Sequence, residues 1–165
     1  MNAPIRMLNL VSVMLAMAVS GLAPAASAKP AILTVVGSIE NVSGREDFSI
    51  DKLKALGAVT VATHTPWTDG PQTFVGVPLI KLLNHVGARG DRVEAVALND
   101  YRMTLYLEEL SSYPVIVAYL HNGRFMRVRD KGPFWIIYPL DDYPELLSVE
   151  TEHKMVWQLR TLIVR

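Results

Sequence analysis

"VATHTPWTDGPQTFVGVPLIKLL" (residues 61–83) changes its hydrophobic pattern twice. It starts as the end of the alternating run "AVTVATHT" (58–65), which predicts a strand. "TPWTDGP" then brings together Pro, Asp and Gly, the residues of turns. From Val77, apolar residues recur at helical spacing through "VPLIKLLNHVG" (77–87), with Pro78 tolerated in the first turn and Gly87 as the stop. A strand, a loop carrying Trp67, and a short helix therefore follow one another. The tryptophan stands in a loop rather than in an apolar run, where a scaffold presents binding side chains.

Upstream, "AILTVVGSI" (31–39) predicts a strand, and "SIDKLKALGA" (49–58) a helix with Ser49 as cap and Gly57 as stop. Downstream, "RVEAVAL" (92–98) and "RMTLYL" (102–107) flank the turn "NDY" and predict a hairpin. "LEELSSYP" (107–114) predicts one helical turn, "VIVAYL" (115–120) a buried strand, and "FMRVR" (125–129) its return through the Asn122-Gly123 turn. "FWIIYP" (134–139) and "MVWQLRTLIVR" (155–165) predict the last strands. Two or three short helices among seven or eight strands, without regular alternation, imply an α+β fold with a mixed β-sheet.

Residues 1–28 read as a signal peptide of the ordinary export route. Arg6 precedes an apolar run too short for a membrane span, and small residues end at Ala26-Ser27-Ala28. No Arg-Arg pair marks the segment for export of a folded, cofactor-loaded chain. The expected mature chain, residues 29–165, forms a single domain with no linker or repeat, placed in the periplasm. With 16 basic and 16 acidic residues the chain offers no electrostatic case for nucleic acid. It holds no cysteine, which excludes both a disulfide and a thiolate metal site.

Trp67 with "FVGVPL" and Leu82-Leu83, then "NDY" (99–101), "NG" (122–123) and "GPFWIIYP" (132–139), form an ordered set of landmarks. Over roughly residues 31 to 165 this set resembles the molybdopterin-binding domain of the sulfite oxidase type. In that family a cysteine before the tryptophan ligates molybdenum. The matching positions here are Thr63, His64 and Thr65, and a hydroxyl is too hard and too weakly acidic to replace a thiolate. The chain also resembles a smaller exported group with this fold that lacks the cysteine. Its members bind reduced pterins and act as partners for the periplasmic domains of membrane sensors, including diguanylate cyclases and phosphodiesterases. That resemblance implies a reduced pterin as ligand, no metal, and a signalling role. The alternative it leaves is a molybdopterin-dependent oxidoreductase with an atypical metal site.

A pterin is a flat heteroaromatic with an amidine-like donor edge, a carbonyl and a polar tail. Its recognition calls for a ring to stack on, a carboxylate for the donor edge and donors for the carbonyl. Trp67 and Trp135 are the stacking candidates, although "PFWIIYP" also reads as core, as does Trp157 in the final strand. In "NDY", Asp100 between Asn99 and Tyr101 is the candidate carboxylate, and turn chemistry is its competing explanation. Arg127 and Arg129 are expected to share a strand face, with Lys131 in the turn beyond. The resemblance points Arg129 and Lys131 at the ligand's carbonyl or tail, while a charged edge strand would use the same residues. Thr63, His64 and Thr65 would line the vacated metal position. His85, His121 and His153 fall in no H-x-x-H spacing, and no G-x-S-x-G stands in the chain. "DDYPE" (141–145) reads as solvated surface or part of a partner contact.

Overall fold

The computed structural model describes residues 31–165, and the expected signal peptide lies outside them. Strand β1 (Ile32–Gly37) is the β-branched run expected at the start, and β2 (Arg45–Ser49) returns antiparallel to it. Helix α1 (Ile50–Ala55) follows at once, and the Ser49 hydroxyl accepts from the Lys52 N–H at 3.3 Å, as the capping pattern requires. Strand β3 (Val59–Thr63) and β4 (Gln72–Pro78) flank the Trp67 loop, and helix α2 (Leu79–His85) continues directly from β4. The hairpin forms as expected from β5 (Arg92–Ala97) and β6 (Arg102–Tyr106), and α3 (Leu107–Ser112) follows it. Then come β7 (Ile116–His121), β8 (Arg124–Phe125), β9 (Trp135–Ile137), α4 (Val149–Lys154) and β10 (Leu159–Val164).

Among the described residues, ten strands and four helices thus replace the seven or eight strands and two or three helices expected. The fold class holds: short helices accompany a mixed sheet ordered β2-β1-β10-β5-β6, in which only β1 and β10 run parallel. A second, antiparallel sheet is ordered β3-β4-β7-β8, with β9 also paired to β7. One core joins the two. Val35 and Leu162 from the first sheet belong to the same cluster as Phe74, Val117 and Ile136 from the second, with Leu82 and Leu83 of α2 filling the space beside them. Each large aliphatic side chain buried this way contributes about 1.5–3 kcal/mol.

One expected element is corrected. The return strand over 125–129 shortens to Arg124–Phe125, and a 3₁₀ turn occupies Val128–Asp130. Arg127 and Arg129 therefore do not share a strand face. The cause lies at Gly132, where a Cβ would meet the Met126 carbonyl oxygen at 2.1 Å, so the chain doubles back on itself there. The Asp130 and Gly132 N–H groups both donate to the Arg127 carbonyl, at 2.8 and 2.9 Å, instead of to a sheet ladder. The preceding Asn122-Gly123 turn does form, with φ of 47° and 74°.

Candidate functional site

The Trp67 loop is built by short-range hydroxyl chemistry. The buried Thr65 side chain bonds the Thr68 hydroxyl at 2.8 Å and accepts from the Trp67 N–H at 3.3 Å. This turn holds the Trp67 ring edge-on against Trp157, with centroids 4.9 Å apart, and 6.0 Å from Trp135. Trp135 is wholly buried, donates its indole N–H to the Met155 carbonyl at 3.0 Å, and rests edge-on against Phe74. Beneath it His121 stacks on Phe74 at 4.8 Å and bonds Gln72 at 2.9 Å. Burial, with the Lys131 charge adding to it, pushes the His121 imidazole below its ordinary pKa. Lys131, held at φ 68°, places its ammonium 5.2 Å from the Trp157 ring centre and 5.8 Å from that of Trp135.

A cavity of about 330 Å³ opens beside this aromatic stack, lined by Trp67, Asn99, Tyr101, Glu152, Met155 and Trp157 among others. Three expected site residues, Trp67, Asn99 and Tyr101, meet there. The Asn99 side-chain Oδ1 accepts from the Tyr101 N–H at 3.1 Å, which leaves the side-chain NH₂ as a donor. The Tyr101 hydroxyl donates to the His153 carbonyl at 3.2 Å and ties the hairpin turn to α4. Lys131 and Trp135 stand behind the Trp157 wall rather than on the cavity surface.

Other expected residues lie elsewhere. Asp100 takes a left-handed φ of 65° at the tip of the turn and pairs with Arg160 at 2.5 Å, outside the cavity lining. Arg129 is exposed in the 3₁₀ turn, 4.0 Å from Asp130. Thr63 is buried, donating to the His64 carbonyl and accepting from the Asp141 N–H, both at 3.2 Å. His64 presents its backbone N–H and ring Nδ1 to the Asp141 carboxylate, at 3.1 and 2.8 Å. Desolvation raises the Asp141 pKa, but the His64 and Thr63 hydrogen bonds outweigh it and hold the carboxyl below its usual range.

Among the cavity residues that were not anticipated are Trp157 and Glu152. Trp157, read as core, is half-buried and forms a wall. Glu152 is the cavity's carboxylate, and among the described residues its side chain makes no hydrogen bond or ion pair. The signal that could have found its helix is Ser148, whose side chain accepts from the Thr151 N–H at 3.1 Å ahead of an acidic first turn. Buried Lys154 then anchors α4 through Glu109 at 2.7 Å and Glu150 at 2.8 Å. Burial alone would depress the Lys154 pKa, yet the two carboxylates raise it.

The donor set suits a pterin and does not suit a molybdenum centre. Indole faces, a free carboxylate and an amide NH₂ surround a cavity at the lower end of the ~300–1,000 Å³ range of small-molecule sites. At the expected metal position stand two buried hydroxyls and an imidazole whose Nδ1 is engaged by Asp141. Among the described residues no group of three His, Asp or Glu side chains is placed to hold a metal ion.

No family model matches the chain, and no curated protein matches it. Among solved structures it is similar to the sulfane dehydrogenase SoxCD from Paracoccus pantotrophus, at 19% sequence identity and a TM-score of 0.60. That likeness covers 81% of this chain and 38% of the dehydrogenase chain, so the described domain spans well under half of that protein. The likeness is one of fold alone: the chain has the sulfite-oxidase-type α+β architecture.

Proposed function

We propose that the protein is a periplasmic pterin-binding protein that reports ligand occupancy to a membrane signalling partner, without metal redox chemistry. The observation that carries this reading is the unpartnered Glu152 carboxylate in a cavity walled by two indoles. A carboxylate facing the amino and ring N–H donors of a 2-amino-4-oxo heterocycle forms two charge-assisted hydrogen bonds. Asn99 is then the donor for the ring carbonyl, and Trp157 or Trp67 the stacking surface, worth ~0.5–1.5 kcal/mol beyond buried area. The missing thiolate and the resemblance to exported pterin binders support the same conclusion. The partner on this reading is the periplasmic domain of a membrane sensor, of the diguanylate cyclase or phosphodiesterase kind.

The test is an anaerobic titration of the purified protein with tetrahydrobiopterin, alongside acid extraction of protein taken from its own host. A saturable one-to-one titration and a fluorescent pterin without molybdenum are expected. Folded protein that takes up no pterin would end the reading, and stoichiometric molybdenum would replace it with the oxidoreductase.

A further inference from the structure

The back of the Trp157 wall carries a second feature. Between Arg124 and Lys131 four cations stand against one carboxylate, in a chain of zero formal net charge. That carboxylate, Asp130, is taken by Arg127 at 2.6 Å. Arg124 is exposed and pairs with no acidic side chain among the described residues. Two apolar side chains are displayed among these charges, Phe125 at 56% exposure and Val128 at 51%. Lys54 of α1 adds a further cation, with its ammonium 5.3 Å from the Phe125 ring centre and 3.5 Å from the Asp51 carboxylate. A recess of about 370 Å³ opens here, lined by His121, Arg124, Phe125, Met126, Arg127 and Asp130.

Exposed aromatic and aliphatic side chains inside a cationic rim, beside a concavity, match the anatomy of a protein contact. The concavity accepts a protruding side chain, which a flat lipid surface does not provide. The chain's overall neutrality also lacks the long-range attraction that a polyanionic surface would exploit. The charge complement is a carboxylate-rich segment, and the free guanidinium of Arg124 is shaped to take a carboxylate bidentately.

The same loop is fastened to the cavity. The Gln158 N–H donates to the Lys131 carbonyl at 2.9 Å, and its side-chain amide donates to the Val128 carbonyl at 2.8 Å. Lys131 in turn lies over the Trp157 ring. A shift of Trp157 onto a ligand therefore moves the backbone that displays Val128.

We infer that the Arg124–Lys131 loop is the docking surface for an acidic segment of a partner protein, and that occupancy of the Trp157 cavity biases its presentation. The second half of this inference rests on the ligand reading above; the docking surface does not. It is tested in the full chain in its own host, with a benzophenone amino acid in place of Phe125. The expected adduct joins it to a peptide of another protein rich in Asp and Glu. In a chain also carrying Arg124→Glu and Lys54→Glu the adduct falls at least tenfold, and it returns when the mapped carboxylates are changed to lysine. The milder pair Arg124→Gln and Lys54→Gln gives an intermediate loss and guards against misfolding. No adduct, an adduct to a second copy or to lipid, or one indifferent to charge reversal would overturn the surface. Titrating the Arg124→Glu, Lys54→Glu protein with tetrahydrobiopterin separates the two ideas. Unchanged affinity with a lost adduct places the fault for failed signalling at the surface, whereas wild-type protein that binds no pterin overturns the ligand reading and, with it, the proposed bias.

Discussion

Thr63, His64 and Thr65, at the lip before Trp67, contrast with Glu152 to Trp157 at the wall behind it. At the lip each of these side chains is committed within the domain: Thr63 to His64 and Asp141, His64 to Asp141, Thr65 to Thr68. At the wall Glu152 has no partner among the described residues, and the Trp157 ring is half-exposed. The lip is where a family landmark directs attention, and the wall is where uncommitted chemistry lies. The lip side chains are knitted into the fold, whereas the wall holds groups the fold does not need.

The contrast is broken or sharpened by substitution. Trp157→Ala should have the largest effect, weakening tetrahydrobiopterin binding by roughly 10–150-fold, from the ~1.5–3 kcal/mol of a buried aromatic contact and its stacking. Calorimetric titration reads it. Glu152→Gln should cost about tenfold or more in affinity, since a hydrogen bond to a charged group is worth ~1.5–3 kcal/mol. Its melting temperature should stay within about a degree because no internal partner is lost. A stable protein with undiminished binding would refute the role of the wall carboxylate.

Thr63→Val should show the opposite profile. Removing a buried hydroxyl that serves two backbone groups should lower stability by about 1–3 kcal/mol in urea unfolding, with affinity within twofold of the parent. A large affinity loss instead would hand the site back to the lip.

Acid separates the two regions as well. His121, below the wall, has a folded-state pKa under its ordinary ~6.5, so its folded state resists protonation. The stability it contributes is complete above that value and declines as pH falls below it. His121→Gln should flatten the stability curve in that window. Asp141 at the lip also has a depressed folded-state pKa, so its contribution is present above the ordinary ~3.9 and is lost only in stronger acid. Being partly exposed, the Asp141 contact is worth no more than about 1 kcal/mol, and Asp141→Asn should remove that late acid limb alone. The smallest effect belongs to Asp100→Asn, which loses an exposed pair with Arg160 and should shift stability by under ~1 kcal/mol and affinity not at all.

What could be read without coordinates followed short-range rules. Ser49 caps its helix, the Asn122-Gly123 turn closes its hairpin, and the "NDY" turn sets the β5–β6 register, because each depends on neighbours in sequence. Strand β2, "REDFS", was not legible: as an edge strand it carries Arg45, Glu46 and Asp47 and shows no apolar alternation. Strand β4 was obscured because its apolar residues run without a break into α2. In the site, the loop position of Trp67 marked it, and Asn99 and Tyr101 came with a recognisable turn. Glu152 could not be marked in this way. Its helix is polar, and the anchor that brings it to the cavity is an ion pair between Lys154 and Glu109, 45 residues apart.

The grouping of the indoles has a spectroscopic consequence. All three tryptophans of the chain, Trp67, Trp135 and Trp157, lie with ring centres 4.9 to 6.5 Å apart, and two of them border the cavity. Excitation of any one is shared among the others, so the entire tryptophan emission of the protein originates at this one place. A conjugated ring entering beside Trp157 would quench nearly all of it, with no background from indoles elsewhere. Any such ring would therefore be reported by the chain's own emission.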